Sequence, residues 1–397
     1  LAFSLQGSNG VLDIGNDGLT QLSNTVLLVL LVGLGVACLG TAIGWLTACC
    51  NFAGKRWLTL AQLLPLATPA YLQAAVLTDL GARAGVQING LSWCIAVLTL
   101  ANVPYVVLLS RDNFRLSGRR QLEASRSLGL GAWRSFFRVN LPLAIPAITA
   151  GVALAGMEVV NEYGAVELLA LPTLSTGLLE RWQGQDDPPA AVALALTALA
   201  VVAVLVAAEQ WQRRKSRRWD MGGPTDASEG WRLQGWRARG AQLLCALPPL
   251  ISVGLPLVWL LRSLDQLRQD SLADLLILGS HSLVLAVVGA GLATAMALIL
   301  AIGKRWISPG PLRQAMFTAS LGYAVPGTVL AIALLLLLAP LGFPPLLLLI
   351  FGYGNRCIAV AKGGLGAGLE RLAPSVDEAA TSLGESWRGV LRRVHLP

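Results

Sequence analysis

Apolar stretches recur along the chain and are separated by short polar or basic segments. A helix that crosses a bilayer needs about 20 predominantly apolar residues, within a range of roughly 17–25. By that measure nine spans are predicted, over 24–50, 58–80, 91–110, 141–163, 189–208, 241–261, 280–303, 312–338 and 344–362. The last is interrupted by Gly352, Gly354, Asn355 and Arg356. Glycine pairs such as Gly33 and Gly35 predict close helix approach. Pro65, Pro69, Pro104 and Pro326 fall inside spans and predict kinks.

The polar segments divide sharply by charge. With 111–140 placed in the cytoplasm and the sides alternating, 25 of the 30 Lys and Arg residues lie inside. Only Arg83, Arg181, Arg262 and Arg268 lie outside, and Arg356 lies within a span. The net charge of +8 is therefore membrane topology rather than a nucleic-acid stripe. The run Arg213-Arg214-Lys215-Ser216-Arg217-Arg218 follows a span directly and reads as an inside anchor facing membrane lipid. Composition agrees: 55% hydrophobic and 13% charged residues cannot clothe a water-facing surface, where about 25% charged is usual. This excludes a soluble enzyme, a disordered chain and a disulfide-stapled secreted domain. The six cysteines share no ligand spacing and are expected to be small buried hydrophobes.

The chain is internally repeated. Val32-Gly33-Leu34-Gly35 corresponds to Val288-Gly289-Ala290-Gly291, and Lys55-Arg56-Trp57 to Lys304-Arg305-Trp306. Both copies have the same orientation, so the duplication is parallel. The expected organisation is a first half over 1–208, a basic cytoplasmic linker over 209–240 and a second half over 241–397. By symmetry the piece is expected to be cut at both ends, with one further span before residue 1 and two after Pro397.

The most informative pattern lies in the third loop of each half, over 111–142 and 362–397. The first copy has Glu123-Ala124-Ser125, Gly129 and Val139-Asn140-Leu141-Pro142. The second has Glu378-Ala379-Ala380, Gly384 and Val394-His395-Leu396-Pro397. Residues 118–128 and 373–383 are predicted to be short surface helices closed by Gly129 and Gly384 in a left-handed conformation. A second short helix follows in each (131–139 and 386–394), and Leu-Pro opens the next span. One copy alone is also compatible with an ordinary amphipathic interfacial helix.

This pattern resembles the EAA loop of permease subunits of binding-protein-dependent ABC importers. The resemblance implies an all-α polytopic membrane protein of the type I permease (MetI-like) fold in tandem, with nine of an expected twelve spans. In that family the loop is a coupling helix seated in a cytoplasmic ATPase. The resemblance thus assigns coupling to Glu123, Ala124, Ser125, Gly129, Leu141, Pro142, Glu378, Ala379, Ala380, Gly384, Leu396 and Pro397. Ser125 departs from the usual Ala, and Val139 and Val394 from Ile. Downstream, Glu158, Asn161, Glu162, Tyr163 and Gly164, then Pro172–Gly177 and Trp182, resemble the ferric-iron permeases, with Glu162 at a usual Asp position. Ferric iron from a periplasmic binding protein is the implied cargo, ATP and Mg sit on a partner ATPase dimer, and the site is the bacterial inner membrane. The same permease fold carrying thiamine, phosphonate, polyamine or an oxyanion is the alternative, and an ion-coupled secondary transporter is a further one.

Glu158 and Glu162 lie four apart, on one helical face, beside Asn161 and Tyr163. Two roles stand open for them: lining the translocation path, or fixing the outer end of the span through hydrogen bonds. Arg356 either lines the path or pairs within the bundle. His281 and His395 are isolated, so no tight metal site is expected. There is no GxxxxGK[ST] and no catalytic constellation, so the chain is expected to be a transport subunit without its own ATPase or cofactor.

Overall fold

The computed structural model describes residues 14–127, 129–185, 187–216, 230–263, 272–306, 325–369 and 374–391. Contacts divide the chain between Gln269 and Asp270 into two compact units. Among the described residues six helices are long and apolar enough to cross a membrane, or seven if one bent helix pair counts as a span. They are Gly15–Cys49, Leu91–Arg115, Trp133–Asn161, Pro188–Trp211, Trp236–Arg262 and Leu276–Gly303.

In the first unit α1 (Gly15–Cys49) runs into a two-residue strand, β1 (Cys50–Asn51). The predicted span 58–80 is not one helix. It is α2 (Lys55–Ala61), α3 (Leu64–Ala67) and α4 (Ala70–Arg83), bent by 87°. Pro69 supplies no N–H and excludes the helical conformation from the residue before it. Thr68 is accordingly extended, at φ −103° and ψ 109°.

Next comes α5 (Leu91–Ser127), which passes through Pro104 without ending. Residues 118–127 are therefore the end of this 37-residue helix, not the separate surface helix expected. The short α6 (Ala132–Ser135) joins α7 (Leu141–Asn161) through one wide turn, Phe136–Asn140. Pro142 sits in the first turn of α7, yet the span begins at Trp133, earlier than the predicted Leu-Pro start. Two short helices, α8 (Gly164–Leu168) and α9 (Leu174–Leu179), precede α10 (Pro188–Ser216).

Small residues set the spacing of the α1–α5–α7 core. A methyl at Gly151 of α7 would lie 2.8 Å from the Val106 Cα of α5. One at Gly40 of α1 would lie 2.7 Å from the Val106 Cβ. Val106, fully buried, is thus gripped from both sides, as expected where helices meet without a hydrophobic driving force.

Within the 209–240 region, β2 (Trp231–Arg232) pairs in parallel with β1, Cys50 against Trp231 and Asn51 against Arg232. The helices α11 (Trp236–Pro249) and α12 (Leu255–Arg262) then form one span. The repeat gives this span to the second half, whereas its contacts place it in the first unit. Gln62 Nε2 donates to the Cys245 carbonyl (2.6 Å), and Trp259 Nε1 to Asp79 Oδ2 (2.7 Å). Arg83 Nε lies 2.8 Å from the same Asp79 oxygen. The ties are separated by 14 residues of the partner span, roughly 20 Å of helical rise. The bent helices therefore advance alongside that span.

The second unit packs α13 (Leu272–Trp306) against α15 (Pro345–Leu369), with α14 (Gly327–Leu338) beside the latter. Gly289 closes on Tyr353 and Gly354 on Leu292. Of the expected spans 312–338 and 344–362, the described residues hold only the shorter apolar pieces Gly327–Leu341 and Pro345–Ile358. The helices α16 (Pro374–Ser382) and α17 (Trp387–Val390) follow.

Four cysteines are buried as expected, but Cys38 and Cys357 are exposed. A thiol is as apolar as its neighbours on these helices, so hydrophobicity does not choose between the inner and outer face.

Candidate functional site

The first candidate region is the end of α7. Glu162 leaves the helix at φ −71° and ψ 125°, and its Oε1 accepts from the Ala165 backbone N–H (2.8 Å) at the start of α8. A side chain at Gly164 would meet Tyr71 of α4, so α8 lies directly on the bent segment. Helix α8 closes with Leu171 N–H bonded to the Val166 carbonyl (2.9 Å) and Ala170 at φ 52°. Thr173 then caps α9: its N–H donates to Thr176 Oγ1 at 2.8 Å, completing a capping box.

This short-helix pair is tied both to α7 and to α1. Ser175 Oγ donates to the Glu162 carbonyl (2.6 Å). Thr25 Oγ1 accepts from Leu174 N–H (3.0 Å) and donates to the Gln21 carbonyl (2.8 Å). Asn24 Nδ2 donates to the Pro172 carbonyl (2.9 Å), and Gly177 packs on the Gln21 side chain. The bonds to Glu162, Pro172 and Leu174 answer backbone groups at the breaks between the helices, in an apolar setting. Gln21, Asn24 and Thr25 were not singled out from the sequence. Their signal was polar residues three and four apart at the start of an apolar helix, the face of one turn.

Glu158, Asn161, Glu162 and Tyr163 are thus brought together at one end of α7. Glu158 and Asn161 are half-buried, and Tyr163 is exposed. Both side-chain polar atoms of Asn161 are buried and find no hydrogen-bond partner among the described residues. Arg356 stands apart, in the second unit. There it lines an apolar cavity of about 450 Å³ between α14 and α15 with Gly327, Leu334 and Tyr353.

The second region is the pair of loops. Gly129 has φ +68° and Gly384 φ +85°, so both adopt the left-handed conformation expected 255 residues apart. The side chains of Glu123, Ala124 and Ser125, and all of Leu396 and Pro397, lie outside the described residues. In the second loop Glu378 and Ala379 are exposed on α16, and Ala380 is half-buried. The helix closes with Glu385 N–H on the Ala380 carbonyl (3.1 Å) and Gly384 N–H on the Thr381 carbonyl (3.0 Å).

After Gly129 the first loop enters an aromatic cluster. The Trp45 ring lies 6.2 Å from Trp133 and 5.1 Å from Phe136, and Phe136 lies 6.4 Å from Phe114. The loop is thereby packed against the end of α1 and against Phe114 within α5. These aromatics are scattered over about 90 residues, and no local pattern announces their meeting.

Residues 40–220, which hold the first loop and the whole α7–α9 region, match the model of the binding-protein-dependent transport system inner membrane component family. The chain is a multi-pass inner-membrane permease of the ABC importer class. It is 26% identical over 396 residues to the Fe(3+)-transport system permease protein FbpB 2 of Haemophilus influenzae, covering 95% of this chain and 75% of that protein. It is 28% identical over 199 residues to the molybdenum transport system permease protein ModB of Escherichia coli K12, covering 45% and 86%. It is 27% identical over 236 residues to the sulfate transport system permease protein CysT of a Synechocystis strain, covering 51% and 81%.

Proposed function

We propose that this permease passes ferric iron, delivered by a periplasmic binding protein, into the cytoplasm. The observation that carries the cargo assignment is similarity to an Fe(3+) permease over 95% of the chain, where the molybdenum and sulfate relatives cited align with about half. The chemistry agrees. Two carboxylates and a phenol gathered at the end of α7 suit a hard cation and repel an oxyanion. Glu162 accepts from the α8 N–H, which fixes it at the end of α7 beside Glu158 and Tyr163, the candidate path or gate residues. Arg356 is the candidate path or gate residue of the second half, in its own cavity between α14 and α15. A tandem parallel repeat of the MetI-like fold supplies both halves in one chain, and the glycine-set crossings α1–α5 and α13–α15 support it.

A separate ATPase dimer with ATP and Mg drives the cycle through the two loops. Glu123, Ala124 and Ser125 with Gly129, and Glu378, Ala379 and Ala380 with Gly384, form the seats. Leu141 and Pro142, and Leu396 and Pro397, lead from them into the spans. The loaded binding protein docks on the loops 81–90, 164–188, 262–279 and 339–345. Coupling is then a difference in partner affinity between two states of the permease.

An oxyanion cargo is the second reading, favoured by the ModB and CysT relatives. Uptake of radioactive ferric iron and of molybdate, by the permease with its ATPase and binding protein, separates the two. Iron uptake that is lost in the inserted double variant Glu123→Arg, Glu378→Arg supports both cargo and coupling. Molybdate uptake without iron uptake overturns the cargo and leaves the permease class standing.

A further inference from the structure

We propose that the junction of residues 50–57 with residues 230–239 is a binding site for an anionic phospholipid of the cytoplasmic leaflet. The two segments are about 180 residues apart and are held together by backbone. Beyond the β1–β2 pairing, Leu233 N–H donates to the Asn51 carbonyl (3.0 Å), and Gln242 Nε2 to the Ala53 carbonyl (3.0 Å). This joins Lys55 and Arg56 to Arg232, Arg237 and Arg239, and neither segment contains an acidic residue. Two tryptophans complete the patch, Trp57 at 74% and Trp236 at 78% exposure, with the Arg237 guanidinium 5.6 Å from the Trp236 ring centre.

Charge alone would also suit an acidic protein. The residues further along the same two helices favour lipid. Leu60 on α2, and Leu243 and Leu247 on α11, are exposed one to three turns beyond the tryptophans. On α2 the basic pair precedes the indole and then Leu60, and on α11 Trp236, Arg237 and Arg239 precede Leu243 and Leu247. Basic and indole groups at the headgroup level thus give way to leucines at the acyl-chain level along the membrane normal. A soluble partner would meet the arginines but not the leucines. Lys55 also stands close enough to Arg111 and Arg115 for their charges to interact, which deepens the positive potential on this side.

The test places the permease in phosphatidylcholine nanodiscs carrying a fixed minor fraction of brominated phosphatidylglycerol or of brominated phosphatidylcholine. The fluorescence lost from Trp57 and Trp236 is read as the difference between wild type and the variant Trp57→Phe, Trp236→Phe. Phosphatidylglycerol should quench that difference signal about twofold more than phosphatidylcholine. The variant Arg56→Gln, Arg232→Gln, Arg237→Gln, Arg239→Gln, checked for an unchanged melting temperature, should bring the ratio to about one. Equal quenching by both lipids in wild type, or a ratio that survives the four substitutions, overturns the proposal. So does loss of the phosphatidylglycerol signal on adding a tryptophan-free partner ATPase, which would make the patch a protein-docking surface.

Discussion

The Gln62 side chain, 1% exposed, donates its amide to the backbone carbonyl of Cys245, 183 residues away. The reason lies four residues beyond Cys245. Helix α11 would normally satisfy that carbonyl with the N–H of residue 249, which is proline. Gln62 supplies the missing donor, so a proline in one helix and an amide in another form one pairing within the first unit.

Gln62→Leu should therefore destabilise the permease by about 1–2 kcal/mol, the cost of one orphaned carbonyl. In a Pro249→Ala background, where the helix regains its own donor, the same substitution should cost less than half as much. Thermal unfolding of the four proteins in detergent measures the coupling. An equal loss in both backgrounds would refute the pairing.

Gly151→Ala should cost about 1–3 kcal/mol, because the new methyl meets the Val106 Cα, a backbone atom that no rotamer change can move. Gly131→Ala has nothing within 4 Å of the added carbon and serves as control. Its melting temperature should stay near that of wild type.

Thr25→Val should leave the Leu174 N–H without its acceptor, whereas Thr25→Ser keeps it. Hydrogen exchange of residues 173–177 should accelerate in the first variant by about tenfold or more, given about 1–3 kcal/mol for a buried unpaired donor. Exchange in the second should match wild type. Acceleration confined to the rest of α1 would place the role of Thr25 elsewhere.

Glutamine at position 162 can still accept from Ala165 N–H, so it removes charge but keeps the bond. The double variant Glu158→Gln, Glu162→Gln should keep its melting temperature and lose about tenfold in ferric uptake, equivalent to about 1.4 kcal/mol of cation stabilisation. If uptake is unchanged while Glu162→Leu alone destabilises the protein, the two carboxylates serve helix packing only.

Six of the predicted apolar spans and the left-handed glycines 255 residues apart were legible in the sequence, because each is a local pattern of polarity or conformation. Gly129 and Gly384 are the clearest case: a helix end that turns left-handed requires glycine wherever it occurs. The 87° bend at Thr68-Pro69 and the seating of the 236–262 span on the first unit were decided only by the tertiary structure. So were the bonds of Thr25 to Leu174 and Gln62 to Cys245. The physical reason is that both faces of a membrane helix are apolar, so hydrophobicity marks a span without saying which face meets protein. What chooses the partner is a glycine that admits a neighbour, or a backbone group freed by a proline or a helix break. Its partner can lie anywhere in the chain.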